Sequence, residues 1–223
     1  MTEKKYELVI FDFDGTLVET RYDLVTAINV MYKKLGASEV TVETAIPWIG
    51  YGAKNLIQSA LEHASEHIED YENLDFDSIF EFWRAEYVKC SLDQSFVYSG
   101  VIETLNELKN RGYKLAIATN KPSFMTIQMM PKLFPKPFFD LVSAPDVVGV
   151  LKPDPALILY VCKKLGVAAE NTLMVGDLET DIIGAKNAGI DSIAVKGYRP
   201  ELDFVALGAL AYVEKFTGIL EYL

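Results

Sequence analysis

No stretch of the sequence comes near the roughly 20 consecutive apolar residues that a membrane-spanning helix needs. The start, MTEKKYELVI, has no apolar leader region before it becomes strand-like. A soluble, cytoplasmic protein with no membrane partner is expected. Cysteine is scarce: Cys90 and Cys162 are the only two, too far apart in sequence for a paired metal-ligand motif and expected as reduced thiols in the core. Basic residues are outnumbered, 21 Lys and Arg against 32 Asp and Glu, which leaves a net charge of −11. With no basic stripe to follow a phosphate backbone, nucleic acid is not an expected partner. An acidic protein that handles an anionic substrate needs a local positive centre, and a bound divalent cation provides one. What is plentiful is apolar surface. Half of the 223 residues are hydrophobic, enough for a real core and for a second, smaller domain.

The order of elements follows from periodicity. Tyr6 to Phe11 is a short apolar run of the kind buried on both faces of a sheet, and it stops abruptly at acidic residues and glycine. Helical spacing then takes over in Leu24, Val25, Ile28, Met31, Tyr32 and Leu35, with Gly36 placed to end the helix. Two further stripes, Ala53 to Leu61 and Phe76 to Tyr87, extend an all-helical insert over 19–91. The second stripe is aromatic (Phe76, Phe80, Trp83, Tyr87), and packing within the insert accounts for it better than a substrate pocket does. From 92 onward helices and strands alternate. A helix around Leu105 is ended by Gly112, and YKLAIA, TLMV and SIAV read as buried strands separated by helices that close at Gly166 and Gly189. Such alternation predicts an α/β fold with a parallel sheet flanked by helices, made from residues 1–18 and 92–223. In such sheets ligands bind beyond the carboxyl ends of the strands.

Those ends carry the chemistry. Asp12 and Asp14 directly follow LVIF, and Asp177 follows LMVG, with Asp181 a helical turn later. Adjacent carboxylates at the end of a buried strand repel, so a cation or hydrogen-bond donors must offset them. Oxygen ligands of this kind suit Mg²⁺. Capping would explain Asp181 alone, but not three acids that each end a buried strand. Thr119 and Asn120 follow LAIA with hydroxyl and amide donors, and Lys152 precedes a helix that starts near Pro155.

DFDGT at Asp12 to Thr16, the threonine of ATNKP, the lysine of LKPDP and VGDLETD occur in that order. The chain thus resembles the haloacid dehalogenase superfamily in its phosphatase branch, with ATNKP, KPDPAL and NAGI most similar to the phosphoglycolate phosphatase group. One departure is Leu178, where many relatives carry serine. The resemblance implies a modified Rossmann core and a helical cap inserted after the first motif. It implies Asp12 as nucleophile and Asp14 as the acid and then the base. It implies Mg²⁺ on Asp12, the Asp14 carbonyl and Asp177, with Asp181 supporting these ligands. Thr119, Asn120, Lys152 and the Gly15 amide would stabilise the phosphoryl oxygens, and a small phosphorylated metabolite would be the substrate.

The insert segment IGYGAKNLI is similar to the specificity loop of that group. Gly50 and Gly52 allow a close backbone approach ahead of a helix N-terminus, and Lys54 adds charge. Alternatives are a sugar phosphomutase of the same superfamily and a non-catalytic binding protein that keeps the fold. His63, Glu66 and His67 spell H-x-x-E-H, a zinc-peptidase string when it lies on one long helix. Here it falls at the acidic end of an insert helix and uses the only two histidines, so no zinc role is expected.

Overall fold

The structure, a computed structural model, describes residues 6–223; residues 1–5 of the polar start lie outside the described residues. Two compact units are present, one from the segment ending at Val18 together with Val97–Leu223, the other Glu19–Phe96.

The first unit is built on β1 (Leu8–Phe11), β4 (Lys114–Ala118), β5 (Leu141–Ser143), β6 (Thr172–Gly176), β7 (Asp191–Val195) and β8 (Ala211–Val213). They form one sheet in the order β5-β4-β1-β6-β7-β8, with every neighbouring pair parallel. Between Val18–Glu19 (β2) and Phe96–Val97 (β3) runs a separate two-stranded pairing. All four residues of β1 are fully buried, as befits a central strand covered on both faces. Leu8 and Ile10 point into a core with Leu157, Ile158 and Val161, while the Phe11 ring stacks on Phe216 on the opposite side.

The helices of this unit are α5 (Val101–Asn110), α6 (Ser123–Leu133), the short α7 (Pro145–Val148), α8 (Ala156–Leu165), α9 (Glu179–Asn187) and the short α10 (Phe204–Leu207). Helix α8 ends at Gly166, whose φ of +65° closes the last turn with a bond from its amide to the Cys162 carbonyl. Register aligns the strand ends. Phe11 lies level with Ile117 on one side and Val175 on the other, so the residues that follow these strands emerge side by side.

The second unit holds α1 (Arg21–Leu35), α2 (Val42–Ala45), α3 (Ala53–His63) and α4 (Phe76–Cys90), with 3-10 turns between them. The aromatic stripe is continuous along α4: Phe76 stacks on Phe80, Phe80 meets Trp83 at a tilt, and Trp83 stacks on Tyr87. Trp83 and Tyr87 are buried. Residues 92–96 belong to this unit rather than to the sheet unit, whereas the sequence pattern ends the insert at 91. The cause is Asp23, buried on α1, whose carboxylate accepts hydrogen bonds from the Gln94 amide (3.0 Å), the Ser95 amide (2.9 Å) and the Ser95 hydroxyl (2.6 Å).

The H-x-x-E-H string does not lie on one helix. His63 ends α3 with its ring tilted against that of Trp48, and Glu66 and His67 sit in the following 3-10 turn. Among the described residues no helix is long and apolar enough to cross a membrane.

Candidate active site

Chain reversal after β1 shapes the first part of the site. The Asp12 amide still bonds to the Val175 carbonyl (3.0 Å), after which the amides of Leu17 and Val18 both turn back to the Phe13 carbonyl. Gly15 makes this possible with a φ of +82°, a conformation costly for any residue with a Cβ. Its amide donates to the Val18 carbonyl (2.8 Å). That bond closes the turn.

Next to β1, β6 delivers Asp177 and the start of α9 delivers Asp181. Asp12, Asp177 and Asp181 are all buried, and one oxygen from each lies within 4.8 Å of the others. Asp177 is held by the Thr16 hydroxyl on Oδ1 (2.7 Å) and by the Tyr198 amide on Oδ2 (3.0 Å). Asp181 Oδ2 accepts the amides of Asp177 (3.1 Å) and Leu178 (3.0 Å), while Oδ1 takes Lys152 Nζ at 2.5 Å. Capping and site support are thus the same act for Asp181, since one oxygen satisfies the helix start and the other the lysine. Space for these side chains comes from glycine. A Cβ on Gly176 would fall 2.2 Å from Asp181 Cγ, and one on Gly15 or Gly197 would fall 2.3 Å from atoms of Asp177.

Lys152 is the cation at the centre. Its Nζ donates to the Ala118 carbonyl (2.7 Å) and lies 3.0 Å from Asp12 Oδ1. The loop carrying it is tied to β4 by Asn120, whose Nδ2 donates to the Lys152 carbonyl (3.0 Å) and whose Oδ1 accepts the Lys152 amide (2.7 Å). Both ends of the Asn120 amide group thus position the lysine. Thr119 is buried, and its hydroxyl accepts the Lys121 amide (3.1 Å). Lys121 Nζ in turn reaches both oxygens of Asp14, at 3.1 and 3.2 Å.

Burial pushes the Asp12 carboxyl up to about 7; Lys152 opposes the rise, and Asp181 and Asp14 add to it. Asp177 is raised well above the ordinary carboxylate value, first by burial and then by Asp181 and Asp12. Burial works to strip the proton from Lys152, but Asp12 and Asp181 outweigh it and keep the ammonium charged. Asp12 Oδ1 is buried and accepts no well-directed hydrogen bond. Three buried, mutually repelling carboxylates within reach of one ion, more negative charge than Lys152 alone offsets, are the donor set that fits a divalent cation.

Asp12, Asp14, Thr119, Asn120, Lys152, Asp177 and Asp181 are all brought together here, while Gly50, Gly52 and Lys54 belong to the helical unit. There Gly50 and Gly52 have φ of +99° and +94°, and Gly52 precedes the first residue of α3. Lys54 is exposed and lies 3.6 Å from Asp77. Sequence reasoning missed Thr16, Lys121, Gly197 and Tyr198. Each lies in or beside a strand-end segment (DFDGT, ATNKP and the residues after SIAV), which was the available signal.

A parallel sheet whose strand ends gather buried acids around a lysine is the site of the haloacid dehalogenase-like hydrolases. That family's model matches residues 9–195, and the chain belongs to it. Among curated relatives, phosphoglycolate phosphatase of Psychrobacter arcticus is 32% identical over 231 residues, covering 97% of this chain and 95% of the relative. That of Colwellia psychrerythraea is 34% identical, covering 99% and 98%. The crystal structure of a predicted phosphoglycolate phosphatase from Haemophilus somnus superimposes with a TM-score of 0.90 at 29% identity, covering 98% of both chains. This protein is an enzyme, a phosphoric monoester hydrolase.

Proposed function

We propose that the chain is a Mg²⁺-dependent phosphatase that hydrolyses a small phosphorylated carboxylic acid, of the phosphoglycolate type, through a phosphorylated Asp12. The observation that carries this reading is the buried cluster of Asp12, Asp177 and Asp181 around Lys152. Asp12, Asp177 and the Asp14 carbonyl would hold the cation, with Asp181 orienting its neighbours. Bound there, Mg²⁺ would offset carboxylate repulsion and draw charge from the phosphoryl oxygens.

Asp12 is the nucleophile because it directly follows the central strand, buried beside Lys152 and within reach of a cation shared with Asp177. Its carboxylate forms a bond to phosphorus as the ester P–O bond breaks. Asp14 gives its proton to the departing alkoxide, then takes one from the water that attacks the phosphorylated Asp12 and regenerates it. Lys152 and the Thr119 hydroxyl stabilise the transferring phosphoryl oxygens. The Gly15 amide and Asn120 add donors to those oxygens, besides closing the turn and tying down the lysine loop.

Substrate choice is assigned to the insert, at Gly50, Gly52 and Lys54, where the first amides of α3 favour an anionic group such as a carboxylate. A cytoplasmic enzyme acting on free metabolites, without nucleic acid, agrees with the acidic composition. The test is phosphate release by purified protein from a panel of esters, with Mg²⁺ and with chelator. Release from 2-phosphoglycolate faster than from nucleotides, and only with the metal, is expected. Full activity in chelator overturns the mechanism, and a preference for nucleotides overturns the substrate.

A further inference from the structure

Two lysines divide the carboxylates of this site. Lys152 is engaged with Asp12, Asp181 and the Ala118 carbonyl, whereas Lys121 contacts Asp14 through both carboxylate oxygens, at 3.1 and 3.2 Å. The Lys121 side chain is only 3% exposed and that of Asp14 14%, so the pair is shielded from competing water. Lys121 is itself fixed at both ends. Its amide bonds to the Thr119 hydroxyl, the preceding Asn120 is tied to the Lys152 backbone, and the following Pro122 leads directly into α6. An aspartate with both oxygens on one ammonium loses the freedom to rotate about its side-chain bonds, and the ammonium cannot follow it elsewhere.

We propose that Lys121 is a positioning residue for the proton-transfer half of the reaction: it holds the Asp14 carboxyl in the one orientation from which the leaving oxygen is served. This role rests on the phosphatase reading above. It also gives a reason for two lysines where one would neutralise the cluster, since Lys152 serves the phosphoryl group and Lys121 serves the group that leaves. During cleavage the ester P–O bond breaks as the Asp12 oxygen–phosphorus bond forms, and the Asp14 proton ends on the alcohol; Lys121 exchanges no proton.

A leaving group that needs no proton separates this role from a structural one. Lys121→Met should lower kcat for 2-phosphoglycolate by about 10- to 100-fold, the scale of misplaced acid–base help. Its rate of Asp12 phosphorylation by p-nitrophenyl phosphate, read by rapid quench, should stay within about threefold of the unaltered enzyme, because nitrophenolate departs without a proton. Lys121→Arg, which keeps the charge and can reach both oxygens, should recover part of the alkyl-ester loss. Equal losses in the rate of Asp12 phosphorylation by the two esters would overturn the role, as would full activity of Lys121→Met on 2-phosphoglycolate. Should Lys121→Met fail to fold, Lys121→Gln is put through the same pair of esters, its amide offering a neutral donor in place of the ammonium, and the same outcomes decide. If the unaltered enzyme hydrolyses neither ester with Mg²⁺, the phosphatase reading itself has failed, a result distinct from a loss shared by both esters in the variant.

Discussion

Replacing Gly176 with alanine would place a methyl carbon 2.2 Å from Asp181 Cγ and 2.3 Å from its Cβ and Oδ2. Carbon atoms pack at about 3.5–4 Å, so more than about 1 Å has to be found. Neither side yields easily. Gly176 ends β6, held between β1 and β7, and Asp181 is fully buried at the start of α9. The side chain can retreat only by giving up the amides of Asp177 and Leu178, at 3.1 and 3.0 Å. Two hydrogen bonds to a charged group, at about 1.5 kcal/mol each, make a loss of about 3 kcal/mol. With a urea dependence of about 3 kcal/mol per molar, the unfolding midpoint should fall by about 1 M. Gly36→Ala supplies the comparison. There the added methyl meets nothing within 4 Å, and only the left-handed backbone, about 1 kcal/mol, is charged against it. A midpoint for Gly176→Ala within about 0.3 M of the unaltered protein, or one no lower than that of Gly36→Ala, would refute the idea that the acids fit only because glycine leaves them room.

Asp12→Asn and Asp14→Asn should each reduce turnover of 2-phosphoglycolate by about 100-fold or more. With p-nitrophenyl phosphate, rapid-quench measurement should find phosphorylated Asp12 in the Asp14 variant and none in the Asp12 variant; equal absence contradicts the assigned roles. For metal-free protein, Asp12 is raised from 3.8 to about 7 and Asp177 is raised as well, so the folded state holds protons that the unfolded chain releases. That contribution to stability is complete below the ordinary carboxylate value and is lost as pH rises through about 7. Urea midpoints in chelator should therefore fall between pH 5 and pH 8, and Mg²⁺ should flatten the slope; a rising midpoint in chelator would reverse the sign. Gly52→Val, at a φ of +94°, should lower kcat/KM for 2-phosphoglycolate about tenfold or more, while p-nitrophenyl phosphate is nearly unaffected. Equal losses would remove the insert from substrate choice.

Acids that end apolar runs are visible in a sequence because hydrophobic strands rarely stop at several aspartates without a reason, and this made Asp12, Asp14 and Asp177 legible. The parallel sheet was legible too, since alternating helices and fully apolar strands admit few other arrangements. Partner choice was not. Nothing in DFDGT reveals that the Gly15 amide turns back to Val18, or in ATNKP that Asn120 spends both ends of its amide on the Lys152 backbone while Lys121 reaches Asp14. Such pairings join segments that share no local pattern. The same holds for Asp23, whose bonds to Gln94 and Ser95 move the end of the helical unit beyond the point at which helical periodicity stops.

The central place of β1 bears on how the chain reaches this structure. Its partners begin at Lys114 and at Thr172, so the most apolar strand of the sheet leaves the ribosome long before either neighbour exists. Contacts of such separation form late and slowly, because a long loop must close before they stabilise anything. Until then LVIF is an unpaired, aggregation-prone edge in a growing chain. Chaperone capture of nascent chains should accordingly concentrate on lengths before β4 is released, and a chain halted short of Thr172 would lack the second neighbour of β1 together with Asp177 and Asp181.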